Sequence, residues 1–544
     1  MKILFGRPMK TPIEFQPQLF RSCSMGSVKR GRCRDIIAQD TRPMLTLRRA
    51  MAPLVAGALR SCPACHAQSV PRMPRRNAAH ALHLSPEQVG SILRASEYSY
   101  VVPEFDGKNV SSVLGFESNQ LAANSPAEDR RAAASCLQTG GMLFGVFDGH
   151  AGSACAQALS ERLFYYVAVS LLSQGALEEI EDAVESRRSV APILEWHKHP
   201  YDFVNKESAA MYFDSLRTYW QQLIALQVPG EQRDIGEVLA SAFRHLDSDL
   251  QLEAQVGSGN QFLDSIALRV AFSGSTACVA HVCGRTLTVA NAGDCRAVLG
   301  RRSACGSEWQ AVALSRDHDA QNPSETSRLR AEHPSDERNT LLQQDRLLGM
   351  LTPLRAFGDV KFKWSAELQR HILERGAALM EGDRYLHFYP PDFRTPPYLT
   401  AEPELCSHIL SPEDSFLVLA SDGLWELLDD QEVVRVVGDF MEASGGALSM
   451  FNPRLTETGA SMTLGELHGE LLRSRREPAA PERNAATLLV RHAVGRDEAG
   501  QLCDERLCDM LSLPEDLARL YRDDITVTVV VFNPQVLSAY SNKP

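Results

Sequence analysis

Three apolar stretches of the sequence meet a turn at a carboxylate. Met142-Leu-Phe-Gly-Val-Phe147 runs into Asp148-Gly149-His150, Phe416-Leu-Val-Leu-Ala420 runs into Ser421-Asp422-Gly423, and Asp523-Asp524 leads into the β-branched run 525–532. Short apolar runs bounded by turn residues read as buried strands. An acid at the end of one sits at the rim of a sheet, where it can meet a metal ion without being entombed. Gly149 lets the backbone come close enough for its carbonyl to be a further ligand, and His150 is placed to pass a proton. Asp-Gly is by itself an ordinary turn, so only the convergence of several such acids signals a site. In an antiparallel sheet the end of one strand neighbours the start of the next, which predicts that Asp148, Asp422 and Asp524 meet on one sheet edge. Carboxylates brought together repel unless a cation holds them, and an all-oxygen site of this kind suits Mg2+ or Mn2+. Glu128-Asp129 adds an acidic pair ahead of the strand that ends at Asp148.

The elements that must position these groups can be read around them. Ser85-Pro-Glu-Gln starts a helix, with Ser as the cap and Pro at the first position. Residues 154–172 are helical by period: Leu159, Leu163, Tyr166 and Val167 form one apolar stripe, which is core packing. Residues 174–255 are mixed, with helical periods near 211–226 and 235–252. A β-rich block follows, in which 277–282 and 286–290 alternate around Cys283-Gly284-Arg285 as a hairpin. Asn291-Ala-Gly-Asp294 turns into a further strand, and the small residues Ser273-Gly-Ser-Thr276 permit close packing. Between about 440 and 485 the composition shifts to Gly, Ser, Pro and Glu, the signature of a surface insertion.

The 544 residues are 44% hydrophobic and 23% charged, a globular balance with room for one large domain or two to three ordinary ones. Residues 1–76 hold fifteen Lys and Arg against Glu14, Asp35 and Asp40, a net of +12 within a chain whose total is −12. The remainder is therefore strongly acidic, which argues against general nucleic-acid binding. An Arg-rich, acid-poor, Ser-sprinkled leader has the composition of a mitochondrial transit peptide. Its removal after Arg75-Arg76 would leave a chain starting near Asn77; a disordered basic tail is the alternative. The longest apolar stretch of the leader, 51–59, is too short to span a membrane, and no transmembrane segment is expected elsewhere. The 13 cysteines have no framework spacing. Cys62-Pro-Ala-Cys65 lacks a second pair and is a weak metal or redox signal.

In order along the chain, Glu128-Asp-Arg130, Val146-Phe-Asp-Gly-His150, Ser273-Gly-Ser-Thr-Ala277, Asn291-Ala-Gly-Asp-Cys-Arg296, Leu351-Thr-Pro-Leu-Arg-Ala-Phe-Gly-Asp359, Ala420-Ser-Asp-Gly-Leu-Trp425 and Asp523-Asp-Ile-Thr526 resemble the motif series of the metal-dependent PPM (PP2C-type) protein phosphatases. Glu161-Arg-Leu-Phe-Tyr-Tyr166, His197-Lys-His-Pro200 and Ala356-Phe-Gly-Asp-Val-Lys-Phe-Lys-Trp364 are similar, more narrowly, to the pyruvate dehydrogenase phosphatases within that family. The resemblance implies an α+β fold: a PPM-type four-layer sandwich of two antiparallel β-sheets flanked by α-helices. That domain would occupy 105–534, with insertions near 174–255 and 440–485. A helical lead-in at 77–104 would precede it and a C-terminal tail at 535–544 would follow.

The same resemblance implies two Mg2+ or Mn2+ ions per subunit. Asp148 would bridge them, the Gly149 carbonyl would bind the first, and Asp422 and Asp524 the second. Glu128 and Asp129 would hold metal-bound waters, and Asp294 and Glu426 match a weaker third site. A water acidified by the ions would attack phosphorus in line, and His150 would protonate the leaving serine oxygen. Many relatives place an Arg four residues before the Glu-Asp pair to clamp the substrate phosphate. Here that residue is Asn124, as in the subgroup, and an amide cannot replace a charged fork; Arg130 is a candidate substitute. The substrate implied is the phosphorylated E1α subunit of pyruvate dehydrogenase in the mitochondrial matrix. Docking to the E2 lipoyl domain, Ca2+ at that interface and a regulatory subunit are implied with it. Another matrix phosphoprotein as substrate, or a catalytically silent binding module of the same fold, are the alternatives; the retained Asp148, Asp422 and Asp524 speak against the second.

Overall fold

Strand Ile525–Phe532, with the sequence ITVTVVVF, is buried at every position. A strand with both faces covered needs apolar or hydrogen-bonded side chains all along its length, and that is what this run of Val, Ile and Thr supplies. In the computed structural model it is a middle strand of a six-stranded antiparallel sheet, paired with Val113–Leu121 on one side and Asp414–Ala420 on the other. Tyr98–Val101 extends this first sheet at one edge; Arg296–Arg302 and Trp309–Ala313 complete the other. The second sheet runs Glu404–Ile409, Thr286–Ala292, Ala277–Cys283, Met142–Phe147, Arg130–Cys136, Leu194–Trp196, all neighbours antiparallel. The structure describes residues 84–103, 110–202, 212–226, 233–256, 264–303, 308–376, 390, 392–451, 482–497 and 499–541. The leader, Cys62 and Cys65 lie outside them, as do 104–109 and 452–481.

The two sheets face each other across a core of Phe116, Phe144, Val146, Ala280, Val289, Leu417, Leu419 and Val530. Phe116 from one sheet meets Phe144 from the other edge to face, ring centroids 5.3 Å apart. Helix Ala154–Leu171 covers the outer face of the second sheet, and helices Asp430–Ala443 and Ala485–Gly495 cover the first. The expected four layers are thus present. So is the expected hairpin, which spans Ala277–Cys283 and Thr286–Ala292. Helix Pro86–Arg94 carries the full reciprocal cap, Ser85 to the Gln88 backbone and the Gln88 side chain back to Ser85.

One expected insertion is packed into the core, and one expected boundary differs. The described part of the expected insertion 174–255 is built into the core: helices Phe213–Ala225 and Ile235–Val256 pack on Ala154–Leu171, and Gln174–Glu185 packs on Phe213–Ala225, with Trp220, Phe243 and Leu246 fully enclosed. Ile235–Val256 also packs on strands Thr286–Ala292 and Glu404–Ile409 of the second sheet, so the period was readable while the partners were not. At the other end, 535–541 is no tail. Helix Pro534–Ser541 starts at Asn533, whose side chain accepts from the Gln535 and Val536 amides, and Leu537 is buried between the sheets.

A buried ion pair fixes the loop that approaches the site. Lys363 Nζ lies 2.7 and 2.8 Å from the two Asp247 carboxylate oxygens and donates to the Ala356 carbonyl, while Asp247 accepts from the Gly358 amide. Removing one partner of such a pair strands the other charge. Asp247→Ala is expected to destabilise the fold by about 3–5 kcal/mol, read as a lower urea midpoint; an unchanged midpoint would show that Lys363 finds water in its place.

Candidate active site

The strand Met142–Phe147 ends at Asp148, and Asp414–Ala420 ends at Ser421-Asp422. Ala420 pairs with Val527 at the start of Ile525–Phe532. The acids therefore converge from the ends of both sheets, and not along one sheet edge as the sequence suggested. Asp148 belongs to the second sheet, Asp422 and the Asp523-Asp524 pair to the first. Asp294, on the turn between Thr286–Ala292 and Arg296–Arg302, joins them. One carboxylate oxygen each from Asp148, Asp294 and Asp422 lie within 4.8 Å of one another.

Asp524 does not face this cluster. Its Oδ1 accepts from the amides of Ala123 and Asn124 at 2.5 and 2.8 Å, and its Oδ2 from those of Glu128 and Asp129 at 2.6 and 3.3 Å. It is 1% exposed and acts as a pin for the 123–129 loop. Consecutive side chains of an extended chain point to opposite sides, and the neighbour Asp523 takes the other direction. Asp523 repels Asp148, Asp422 and Glu426 and is ion-paired with Arg519 at 2.6 Å.

Burial, followed by the charge of neighbouring acids, pushes up the carboxyls of Asp148, Asp294 and Asp129, and that of Asp422 to about 7. Burial also raises Glu128, Glu426 and Asp523. Buried oxygens of Asp129 and Asp422 have no hydrogen-bond partner among the described residues. So many desolvated carboxylates with idle oxygens suit a divalent cation and little else.

The loop residues are placed by the same contacts. Glu128 accepts from the Gly152 amide at 2.6 Å, beside the turn that follows His150. A Cβ on Gly149 would lie 2.4 Å from the Glu128 carbonyl, so only glycine lets the two loops touch. Arg130 is held within the loop: its Nε donates to Gln157 at 2.5 Å and one terminal nitrogen to the carbonyls of Ala127 and Asp129. Asn124 is half-buried on the same loop.

His150 Nε2 lies 2.5 Å from Oδ2 of Asp359, which is fully buried. Burial works against the imidazolium, but the Asp359 charge and hydrogen bond outweigh it and raise His150 above its ordinary value. Gly274 makes room for the pair, since a Cβ there would sit 2.1 Å from both side chains. Sequence reasoning gave Asp359 no role. Its motif was visible, but its partner is more than two hundred positions away.

A family model described as Protein phosphatase 2C matches residues 173–466. The human protein named pyruvate dehydrogenase (acetyl-transferring) phosphatase 1, mitochondrial, is 58% identical over 465 residues, 85% of this chain and 85% of that protein. Human phosphatase 2 of the same name is 52% identical over 462 residues, 84% of this chain and 85% of that one. A protein phosphatase 2C homolog of Schizosaccharomyces pombe is 28% identical over 482 residues, 84% of this chain and 93% of that one.

Proposed function

The chain belongs to the protein phosphatase 2C family, and from that premise we propose that it removes phosphate from serine on the E1α subunit of pyruvate dehydrogenase in the mitochondrial matrix. It is a metal-dependent serine/threonine phosphatase. The observation that carries the substrate is the likeness, over most of the chain, to two human proteins named as pyruvate dehydrogenase phosphatases and as mitochondrial. The subgroup resemblance adds docking on the E2 lipoyl domain, Ca2+ shared with that partner, and a regulatory subunit. No helix among the described residues is long and apolar enough to cross a membrane.

In this reading Asp148, Asp422 and Asp523 hold two Mg2+ or Mn2+ ions with the Gly149 carbonyl, and Asp294 and Glu426 favour a weaker third. Bound there, the ions supply positive charge against the phosphoryl oxygens and make a water more acidic. Glu128 and Asp129 orient water from the loop that Asp524 pins. Asp359 holds Nε2 of His150 and favours the imidazolium, which leaves Nδ1 as the atom to pass a proton to the departing serine oxygen.

Purified protein mixed with phosphorylated pyruvate dehydrogenase complex should release phosphate from E1α with Mg2+ or Mn2+ and not with EDTA. Hydrolysis of a small phosphate ester without release from E1α would move the substrate elsewhere. The leader gives a second prediction. Protein recovered from mitochondria should begin near Asn77 by N-terminal sequencing, and an intact Met1 on the working enzyme would rule out the transit reading.

A further inference from the structure

A doubly charged phosphoryl group entering a ring of carboxylates needs a cation from the protein as well as from the metals. Position 124 offers only an amide, and the Arg130 guanidinium is engaged by Gln157 and two carbonyls. The segment 515–523 lies against the same loop. Ser125 Oγ donates to Glu515 at 3.0 Å, and Arg522 donates to the carbonyls of Leu121 and Ala122. On that segment stands Arg519, half exposed, whose one described polar partner is Asp523 at 2.6 Å. Its ion pair with Asp523 sets it at the exposed edge of the cluster, and its charge opposes the raised carboxyls of Glu128, Asp422, Glu426 and Asp523.

We propose that Arg519 receives the substrate's phosphoryl oxygens, supplying from the 515–523 segment the guanidinium that position 124 lacks. A carboxylate that turns to a metal ion gives up its hold on a guanidinium, and a planar fork matches two phosphoryl oxygens as well as two carboxylate oxygens. With Asp523 committed to a metal ion, the Arg519 guanidinium would be free to face the substrate. The inference rests on the phosphatase reading of the site but not on which phosphoprotein is the substrate.

The test uses p-nitrophenyl phosphate as substrate and inorganic phosphate as competing product, over a Mg2+ series, with folding checked by circular dichroism. Turnover by the wild type establishes the phosphatase reading independently. Arg519→Ala should raise KM and weaken phosphate inhibition by about tenfold, equivalent to about 1.4 kcal/mol, while Arg519→Lys keeps part of both. Asn124→Arg should improve the wild type on this small ester and restore phosphate inhibition in the Arg519→Ala background, because the two positions face one group. Arg519→Ala that shifts only the Mg2+ half-saturation, with phosphate inhibition unchanged, would show that Arg519 merely holds Asp523 and overturn the proposal.

Discussion

Asp148→Asn should lower kcat/KM by about a thousandfold or more, ~4 kcal/mol of barrier at about 1.4 kcal/mol per decade, and should leave the fold intact. Asp148 lies where the acids of the two sheets meet, with Asp294 and Asp422 in reach of its carboxylate. An amide of the same shape removes the charge that any cation there must share, so both binding and catalysis suffer together. The substitution has a second readout that needs no turnover. Burial and like charge raise the folded carboxyls of this cluster, that of Asp422 to about 7. The unfolded chain titrates near pH 4, so without metal the folded state holds more protons and loses stability as pH climbs from about 4 towards 7. The neutral amide relieves part of that repulsion. In EDTA at neutral pH the variant should melt no lower than the wild type, and saturating Mg2+ should raise its Tm less. A variant that keeps more than about a tenth of the activity would remove Asp148 from the metal site.

His150→Ala should cost about 10²–10³ in kcat on a phosphoserine protein, in the range of a lost general acid, and less than about tenfold on p-nitrophenyl phosphate, whose leaving group needs no proton. The contact with Asp359 is what makes the contrast expected, because it raises the ring's affinity for a proton. Asp359→Asn should fall between wild type and His150→Ala on phosphoserine and again spare the activated ester. Equal losses on both substrates would place His150 in substrate binding instead of proton transfer.

Part of the site was readable because several acids, each at the junction of a turn and an apolar run, recur along one chain, although any one of them alone is an ordinary turn residue. Asp148 and Asp422 come together as strand-end acids, while Asp294, which joins them, was flagged only by the family resemblance and Asp524 faces the loop. The choice within Asp523-Asp524 was not readable. It depends on the register that pairs Ile525 with Leu121, and a shift of one residue exchanges which carboxylate faces the cluster and which pins the loop. Asp359 was hidden for a different reason. Its backbone sits at φ 49°, a conformation that sequence seldom announces, and its value lies entirely in a histidine far away in the chain. The fold shows the same division. Strand and helix periods were legible at 277–290 and 154–171, but the burial of 174–255 was not, since period alone cannot say what a stripe packs against.

The first sheet is built out of sequence order. Its segments Tyr98–Val101 and Val113–Leu121 stand on one side, and Arg296–Arg302, Trp309–Ala313 and Asp414–Ala420 on the other. The strand that joins them, Ile525–Phe532, is the latest of all these in the sequence. A chain emerging from a ribosome thus presents two half-sheets with bare edges and nothing between them. Such edges invite pairing with other chains, and closing them requires contacts of long sequence separation, which form slowly. Asp523 and Asp524 arrive with the same strand, so the pinned loop and the acid ring complete only when the gap is filled. A chain still missing this strand lacks Asp523 and the pinned loop, and it is in that interval that a chaperone has the most to protect.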